Sequence, residues 1–496
     1  MSTARTLAKN TTVLLAAQII SIAVSLTYLS YSARYLTPDG FSIMSFALSF
    51  TTVFAYFADF GFSTLTAMKV ARDKSQAGKY LGNLAALRIF LSVLLVLVMA
   101  VVINVGDYPE QTIQVVYIIA ISTVLYVLNG LFNSLFQAFE KMEYQSIGTV
   151  LYSVLMFSGT FLAIHFDLGL MGFAFINLAT NLLVIIYSLI VSALFIVKPK
   201  MELDPRFLKT IIIESLPFGI GGFFLTIYYS IDSLLLFNMQ AQDVLGWYSA
   251  SSRLVHYLQV VPLMVNTALF PAMSRFFISS PDNLKLIYEK YMKFMLVIGV
   301  PMAVGATVLA DKIIWTIYGD GYSPSIVVMQ IVIWSVFLSF VYTPFLQTFS
   351  STNHQRLTTV IIGIGMLVNF ALNIILIPLL SYIGSSFALV MSELTMLVIS
   401  FYYATRLGFG IKGAIIVQIL SRVAAASMVM GAFLWLLKSW NILVLIPCGI
   451  LVYFVSLYAA GGIDSEDLSL VRSILKGKYA APVKNDQAST TSGPDK

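Results

Sequence analysis

The chain has 496 residues, of which 59% are hydrophobic and 10% charged, with a formal net charge of +6. A soluble domain carries about a quarter charged residues, so this chain cannot cover a soluble globule, and a soluble enzyme is excluded. The positive charge is not gathered into a basic domain, which excludes a nucleic-acid partner and fits loops beside anionic lipid.

A membrane-spanning helix needs roughly 20 apolar residues. Apolar runs broken by charges and turn residues predict spans at 11–33, 41–62, 81–104, 112–134, 146–166, 172–197 and 211–237. They continue at 246–271, 291–311, 326–350, 358–378, 385–405, 416–437 and 442–459. The expected fold is therefore an all-α multi-pass membrane protein with about 14 transmembrane helices. The run after Arg5 and Lys9 is too long for a cleaved leader and lacks a small-residue cleavage site, so it reads as a retained first helix.

With the N-terminus placed inside, nearly all of the 29 Lys and Arg residues fall in inner segments. Only Arg34, Lys312 and Lys438 fall outside, and Arg88, Arg253 and Arg422 fall within spans. This bias puts both termini in the cytoplasm of a cell-membrane protein. Residues 272–290 form the longest loop, expected as a cytoplasmic surface helix, and no loop has room for a soluble catalytic domain. In the tail, Leu468, Val471 and Leu475 predict a short interfacial helix, followed by a polar, disordered end.

A weak repeat relates the join between the first two spans (ARYLTPDGFSIMSFA) to the join between spans seven and eight (NMQAQDVLGWYSASS), with Gly40 matching Gly246. Both joins face outward, so the repeats are parallel. This predicts two pseudo-symmetric six-helix lobes, 1–200 and 201–405, then two helices in 406–460 and a cytoplasmic tail, 461–496.

Ionisable groups within spans are costly unless they face protein or a wet cavity. Helical rise places Arg34, Asp232 and Arg253 at similar depth, as an outer charged group lining a central cavity, and Asp59 beside Arg88 as an inner ion pair. Either pair can also simply tie two helices together. Glu214 and Arg422 lie close enough to the inner interface to snorkel. Glu393 sits near mid-span, as cavity lining or helix packing, and His256 follows Arg253 at i+3 as a packing or cavity residue. Arginine keeps its charge when desolvated and offers a planar fork to phosphate oxygens, so Arg34, Arg253 and Arg88 are candidate substrate ligands. Tyr228 and Tyr229, near Asp232, are candidate sugar contacts. Asp59, Asp232 and Glu393 either hold the arginines or bind a coupling H⁺ or Na⁺. Pro217, Gly219, Gly221 and Gly222 cluster in span seven and, with Pro301, form candidate hinges. The single cysteine, Cys448, and the scattered His165, His256 and His354 make neither a disulfide nor a metal motif, and there is no nucleotide-binding GxxxxGK[ST] loop. No cofactor is expected.

Seven segments in order resemble one family: ARYLTPDGFSIMSF (33–46), FADFGF (57–62), ESLPFGIGGFF (214–224), LGWYSASSRL (245–254), ALFPAMSR (268–275), IYGDGYSPS (317–325) and NFALNIILIPLLSYIGSSFALVMSE (369–393). Together they are similar to the polysaccharide-transporter branch of the multidrug/oligosaccharidyl-lipid/polysaccharide exporter superfamily, which includes Wzx-type O-antigen and capsule-repeat flippases. Ser42 and Ser385–Ser386 depart from the usual small residues of those motifs. The resemblance implies transport of a polyprenyl-(pyro)phosphate-linked oligosaccharide from the cytoplasmic to the outer leaflet by alternating access. It carries over Arg34 and Arg253, with Asp59 and Asp232 as charged partners. Expected partners are membrane lipid, the lipid-linked substrate, a polysaccharide polymerase and a chain-length regulator. Two other readings remain beside it: an ion-coupled multidrug exporter of the same superfamily, and a membrane glycosyltransferase or polymerase, against which the short outer loops argue.

Overall fold

The computed structural model describes residues 2–197, 203–410 and 413–462. Those residues form fifteen α-helices and two short 3-10 turns. The helices are α1 (Ser2–Asp59), α2 (Phe62–Arg72), α3 (Ala77–Val105), α4 (Glu110–Ala138), α5 (Met142–His165), α6 (Gly169–Phe195), α7 (Pro205–Met239) and α8 (Gln242–Tyr257). There follow α9 (Val260–Ser279), α10 (Pro281–Val308), α11 (Ala310–Ile317), α12 (Ser325–Ser351), α13 (Gln355–Arg406), α14 (Gly413–Leu436) and α15 (Ile442–Ala459). The chain is thus an integral membrane protein, with 12 helical stretches among the described residues long and apolar enough to cross a bilayer.

Two of those stretches are double. The 58 residues of α1 would extend about 87 Å and the 52 of α13 about 78 Å at 1.5 Å per residue, against a hydrocarbon core of about 30 Å. Each is broken once, at Thr37 (φ 60°) and at Ser381 (φ 53°). Thr37 precedes Pro38, whose ring disfavours helical backbone before it and removes an N–H. Counting both as two crossings gives the expected fourteen.

Two local expectations change. Span eight is two helices, α8 and α9, divided at Leu258–Gln259 just ahead of Pro262. The loop at 272–290 is not a surface helix. It is the end of α9 and the start of α10, separated by the extended Ser280 (φ −164°, ψ 95°), because Pro281 is favourable at a helix start and cannot continue the preceding helix. The interfacial helix and polar tail expected after 462 lie outside the described residues.

Helices α1, α4, α5 and α6 pack together, with α3 against α1 and α4. Helices α7, α8, α10, α12 and α13 form a second packed group, and α14 and α15 pair with each other against α10. Helix α1 also runs along α7 and α8, so the two groups meet there.

They meet at two seams. At one, Gly61 (φ +86°) lies against the backbone of α7: a Cβ there would sit 2.8 Å from the Gly219 nitrogen and 2.9 Å from the Ser215 oxygen. Tyr56 donates a 3.0 Å hydrogen bond to the Gly219 carbonyl, and Lys69 pairs with Glu214 at 2.7 Å. At the other, Gly246 abuts the carbonyl of Pro38, so the two joins matched in the sequence touch. Tyr322 donates to the Ala33 carbonyl at 2.8 Å, and Phe41 packs on Tyr318 and Tyr322 at ring distances of 6.4 and 6.2 Å.

Candidate functional site

A polar cavity of about 110 Å³ lies between α1, α7, α8 and α13. At roughly 10–15 Å³ of such space per water it has room for several waters. Its walls include Ser45 and Ser49 from α1, Asp232 from α7, and Arg253 and His256 from α8. Along α8, Ser249, Arg253 and His256 recur at helical spacing and give that helix a polar face toward the cavity.

Asp232 and Arg253 share this cavity, but no ion pair within 4.0 Å joins them. Asp232 is buried and accepts hydrogen bonds from Tyr248 (2.5 Å) and Asn373 (2.8 Å). Asn373 donates as well to the Asn369 backbone carbonyl and side-chain oxygen, one turn earlier on α13, at 2.9 and 3.1 Å. The Arg253 guanidinium donates to Ser45 Oγ at 3.0 Å and lies 5.1 Å from the Phe41 ring centre. Its cation therefore faces the cavity without a carboxylate to neutralise it.

Tyr228 and Tyr229 also line the cavity. Tyr228 is buried and donates to Glu393 Oε1 at 2.8 Å, with Ser392 3.1 Å away; Tyr342 lies beside the same carboxylate. Tyr229 donates to Gln259 at 3.0 Å and meets the His256 ring edge-on at 5.4 Å. Glu393 is thus one shell behind the cavity wall.

Arg34 does not join this group. Its guanidinium donates to the backbone carbonyls of Trp315, Thr316 and Ile317. Those carbonyls end α11, where a cation suits the helix dipole.

Asp59 and Arg88 do pair, away from the cavity. The fully buried Arg88 donates to Asp59 Oδ1, to Ser63 Oγ at 2.9 Å and to the Val127 carbonyl at 2.9 Å. Asp59 also accepts from the backbone and hydroxyl of Ser63 at 3.1 and 2.8 Å. This network fixes the break between α1 and α2 against α3 and α4.

Helix α7 is helical through Pro217. Gly219 faces Phe60, Gly222 faces the Tyr56 hydroxyl, and Gly221 faces Thr359 at ordinary contact distance. In this conformation the cluster permits close approach of α7 to α1 and α13. Pro301 lies in α10 and lines a second, apolar groove.

That groove has a volume of about 820 Å³ and runs from α1 (Ile19, Ile22) past α10 to α14 and α15 (Met430, Ile446). Leu254 and Val255 of α8, and Leu258 just after it, face it. One helix therefore separates a polar, cationic cavity from an apolar groove.

Sequence reasoning missed Ser45, Tyr248, Asn369 and Asn373 as site residues. All four stand inside segments that carry the family resemblance, and Asn369 and Asn373 are four residues apart, the spacing that puts both amides on one helix face. Among the described residues no group of His, Cys, Asp and Glu is arranged to hold a metal ion.

A family model described as polysaccharide biosynthesis protein matches residues 7–277, and a second, MatE, matches 217–375. No curated protein matches the chain in sequence. Among solved structures, the fold is similar to a lipid II flippase MurJ in an inward closed conformation, with TM-score 0.71 and 14% identity over 90% of this chain and 97% of that one. An inward-facing multidrug resistance MATE family transporter of the MOP superfamily matches with TM-score 0.63 and 15% identity, over 81% of this chain and 94% of that one. A MOP superfamily transporter from Pyrococcus furiosus matches with TM-score 0.56 and 14% identity, over 81% and 95%.

Proposed function

This chain belongs to the polysaccharide biosynthesis protein family, and from that premise we propose that it is a flippase for a polyprenyl-(pyro)phosphate-linked oligosaccharide. It moves the repeat unit of an O-antigen, capsule or other surface polysaccharide from the cytoplasmic to the outer leaflet by alternating access. The lobes at 1–200 and 201–405 rock about the cavity, and both termini lie in the cytoplasm. A polymerase and a chain-length regulator act on the product.

The observation that carries this reading is the position of α8 between two unlike cavities. Its Arg253 side meets a polar space, and its Leu254 and Val255, with Leu258 just after it, meet an apolar groove. A lipid pyrophosphate has the same two-part chemistry. Burying a tail in an apolar groove stabilises it by about 0.8 kcal/mol per CH₂, while a guanidinium offsets desolvation of the phosphate oxygens. Asp232 and Glu393 are the carboxylates best placed to couple H⁺ or Na⁺ to the cycle, and Arg34 and Arg88 brace the frame around Arg253.

The MatE match over 217–375 and the acidic residues of α7 and α13 keep a second reading, an ion-coupled multidrug exporter. Deleting the gene separates them. Finished lipid-linked oligosaccharide that accumulates shielded from an externally added sugar-cleaving enzyme supports the flippase. Normal exposure at the outer leaflet rejects it and directs the work to drug efflux.

A further inference from the structure

A group of tyrosines from α1, α4 and α5 has no role in the account above, and Asp59 is the carboxylate within electrostatic reach of its Tyr126. Tyr126 of α4 is 65% exposed, although it belongs to the polar face of its helix. Three residues before it, the Thr123 hydroxyl lies 3.0 Å from that of Thr51 on α1, and four after it the Gly130 carbonyl lies 3.5 Å from Ser63 Oγ. Residues so spaced share a helix face, so Tyr126 lies on the side of α4 that faces α1 and α2.

The phenol of Tyr152 on α5 lies among those of Tyr126, Tyr28 and Tyr257, and its oxygen is 3.5 Å from the Asn177 amide. Tyr28 and Tyr257 lie in turn within electrostatic reach of Arg253. A wall of neutral aromatic rings with polar tips thus continues from the cation of the cavity onto the helices of the first group.

We propose that Tyr28, Tyr126 and Tyr152 form a carbohydrate subsite, which reads the sugar attached to a phosphate held at Arg253. The inference rests on the flippase reading and extends it. A pyranose presents an apolar C–H face and a rim of hydroxyls. Tyrosine matches both, since it has an apolar body and a hydroxyl that donates and accepts. The phenols carry no charge of their own for a phosphate, and their hydroxyl tips suit a sugar rim better than a lipid tail, which has the apolar groove beyond Tyr257. The wall is therefore a determinant of which sugar is accepted, while Arg253 takes any head group bearing phosphate.

The test is binding to the full-length protein in detergent. The two probes are a bare C55 polyprenyl pyrophosphate and the same lipid carrying an N-acetylhexosamine disaccharide. The wild type is expected to bind the glycosylated lipid more tightly. Tyr126→Ala and Tyr152→Ala should each reduce that preference about five- to tenfold, the worth of one aromatic contact, and leave binding of the bare lipid unchanged, which also controls for folding. Tyr126→Phe keeps the ring and should keep most of the preference. Equal binding of the two lipids by the wild type, or an undiminished preference in both alanine variants, overturns the sugar subsite alone. Failure of the wild type to bind either lipid rejects the flippase reading and the subsite with it.

Discussion

Arg253 and Asp232 face one cavity from adjacent helices, yet each takes other partners: Ser45 and Phe41 for the cation, Tyr248 and Asn373 for the carboxylate. A cation held in place by neutral groups keeps its charge for a ligand, whereas an ion pair would have spent most of that field on a neighbour.

Arg253→Ala is accordingly expected to reduce transport about ten- to hundredfold, the range for a hydrogen bond to a charged group. Arg253→Lys should retain part of the activity, because it keeps the charge but loses the fork. Leaflet accessibility of the lipid-linked sugar, normalised to protein level, is the measurement. Ala activity equal to wild type would remove Arg253 from the mechanism.

Asp232→Asn keeps the shape of the side chain and removes its charge. Transport in proteoliposomes should fall and lose its response to an imposed Na⁺ or H⁺ gradient. An unchanged response would leave Asp232 as a packing residue held by Tyr248 and Asn373.

The Asp59–Arg88 network predicts non-additive stability. Asp59→Asn leaves a fully buried guanidinium without its carboxylate, a loss of about 3–5 kcal/mol. Pairing it with Arg88→Met removes the stranded charge and should recover much of the loss. Thermal melts of the two single variants and the double variant in detergent test this, and additive losses would refute it.

Gly61 occupies the left-handed region at φ +86° and faces the α7 backbone. Gly61→Ala should destabilise by about 1–2 kcal/mol from backbone strain alone, and more as its Cβ pushes α7 away. Gly221→Ala meets only the Thr359 side chain at ordinary distance and should be nearly neutral. The same melts rank them.

Asp204 caps α7 through the backbone N–H groups of Arg206 and Phe207 and pairs with Lys79 at 2.8 Å. The Lys79 hydrogen bond, then that of Phe207, holds its carboxyl below the usual carboxylate range. A lowered folded-state pKa means stability that is present at neutral pH and lost as pH falls through that lowered value. Asp204→Ala should therefore melt lower than wild type at pH 7, and the gap should close below about pH 4.

Much of the fold was legible because hydropathy reports crossings directly, and T-P-D-G announces the break at Thr37. Rotation about the helix axes was not legible. Asp232 and Arg253 line one cavity, yet a partner is chosen by the angle around each helix axis, and that angle is set by packing between distant segments. Arg34 shows the same limit: its guanidinium is directed toward α11. The cleft tyrosines were hidden by number, since a chain with 26 tyrosines gives no reason to select three.

The two seams between helix groups will not part with equal work. At Gly61 the contact is backbone against backbone, beside a Lys69–Glu214 pair that is over a third exposed on both sides and so contributes little. At Pro38 the groups are joined by buried tyrosine rings, by Tyr322 on Ala33 and by Arg34 on α11. Separation at Gly61 wets the Phe57, Phe60 and Phe223 rings, and separation at Pro38 wets Phe41, Tyr318 and Tyr322 and also breaks the hydrogen bonds to Ala33 and to α11. Neither seam parts without wetting aromatic rings, so the difference between them lies in the buried polar contacts that stitch the Pro38 side.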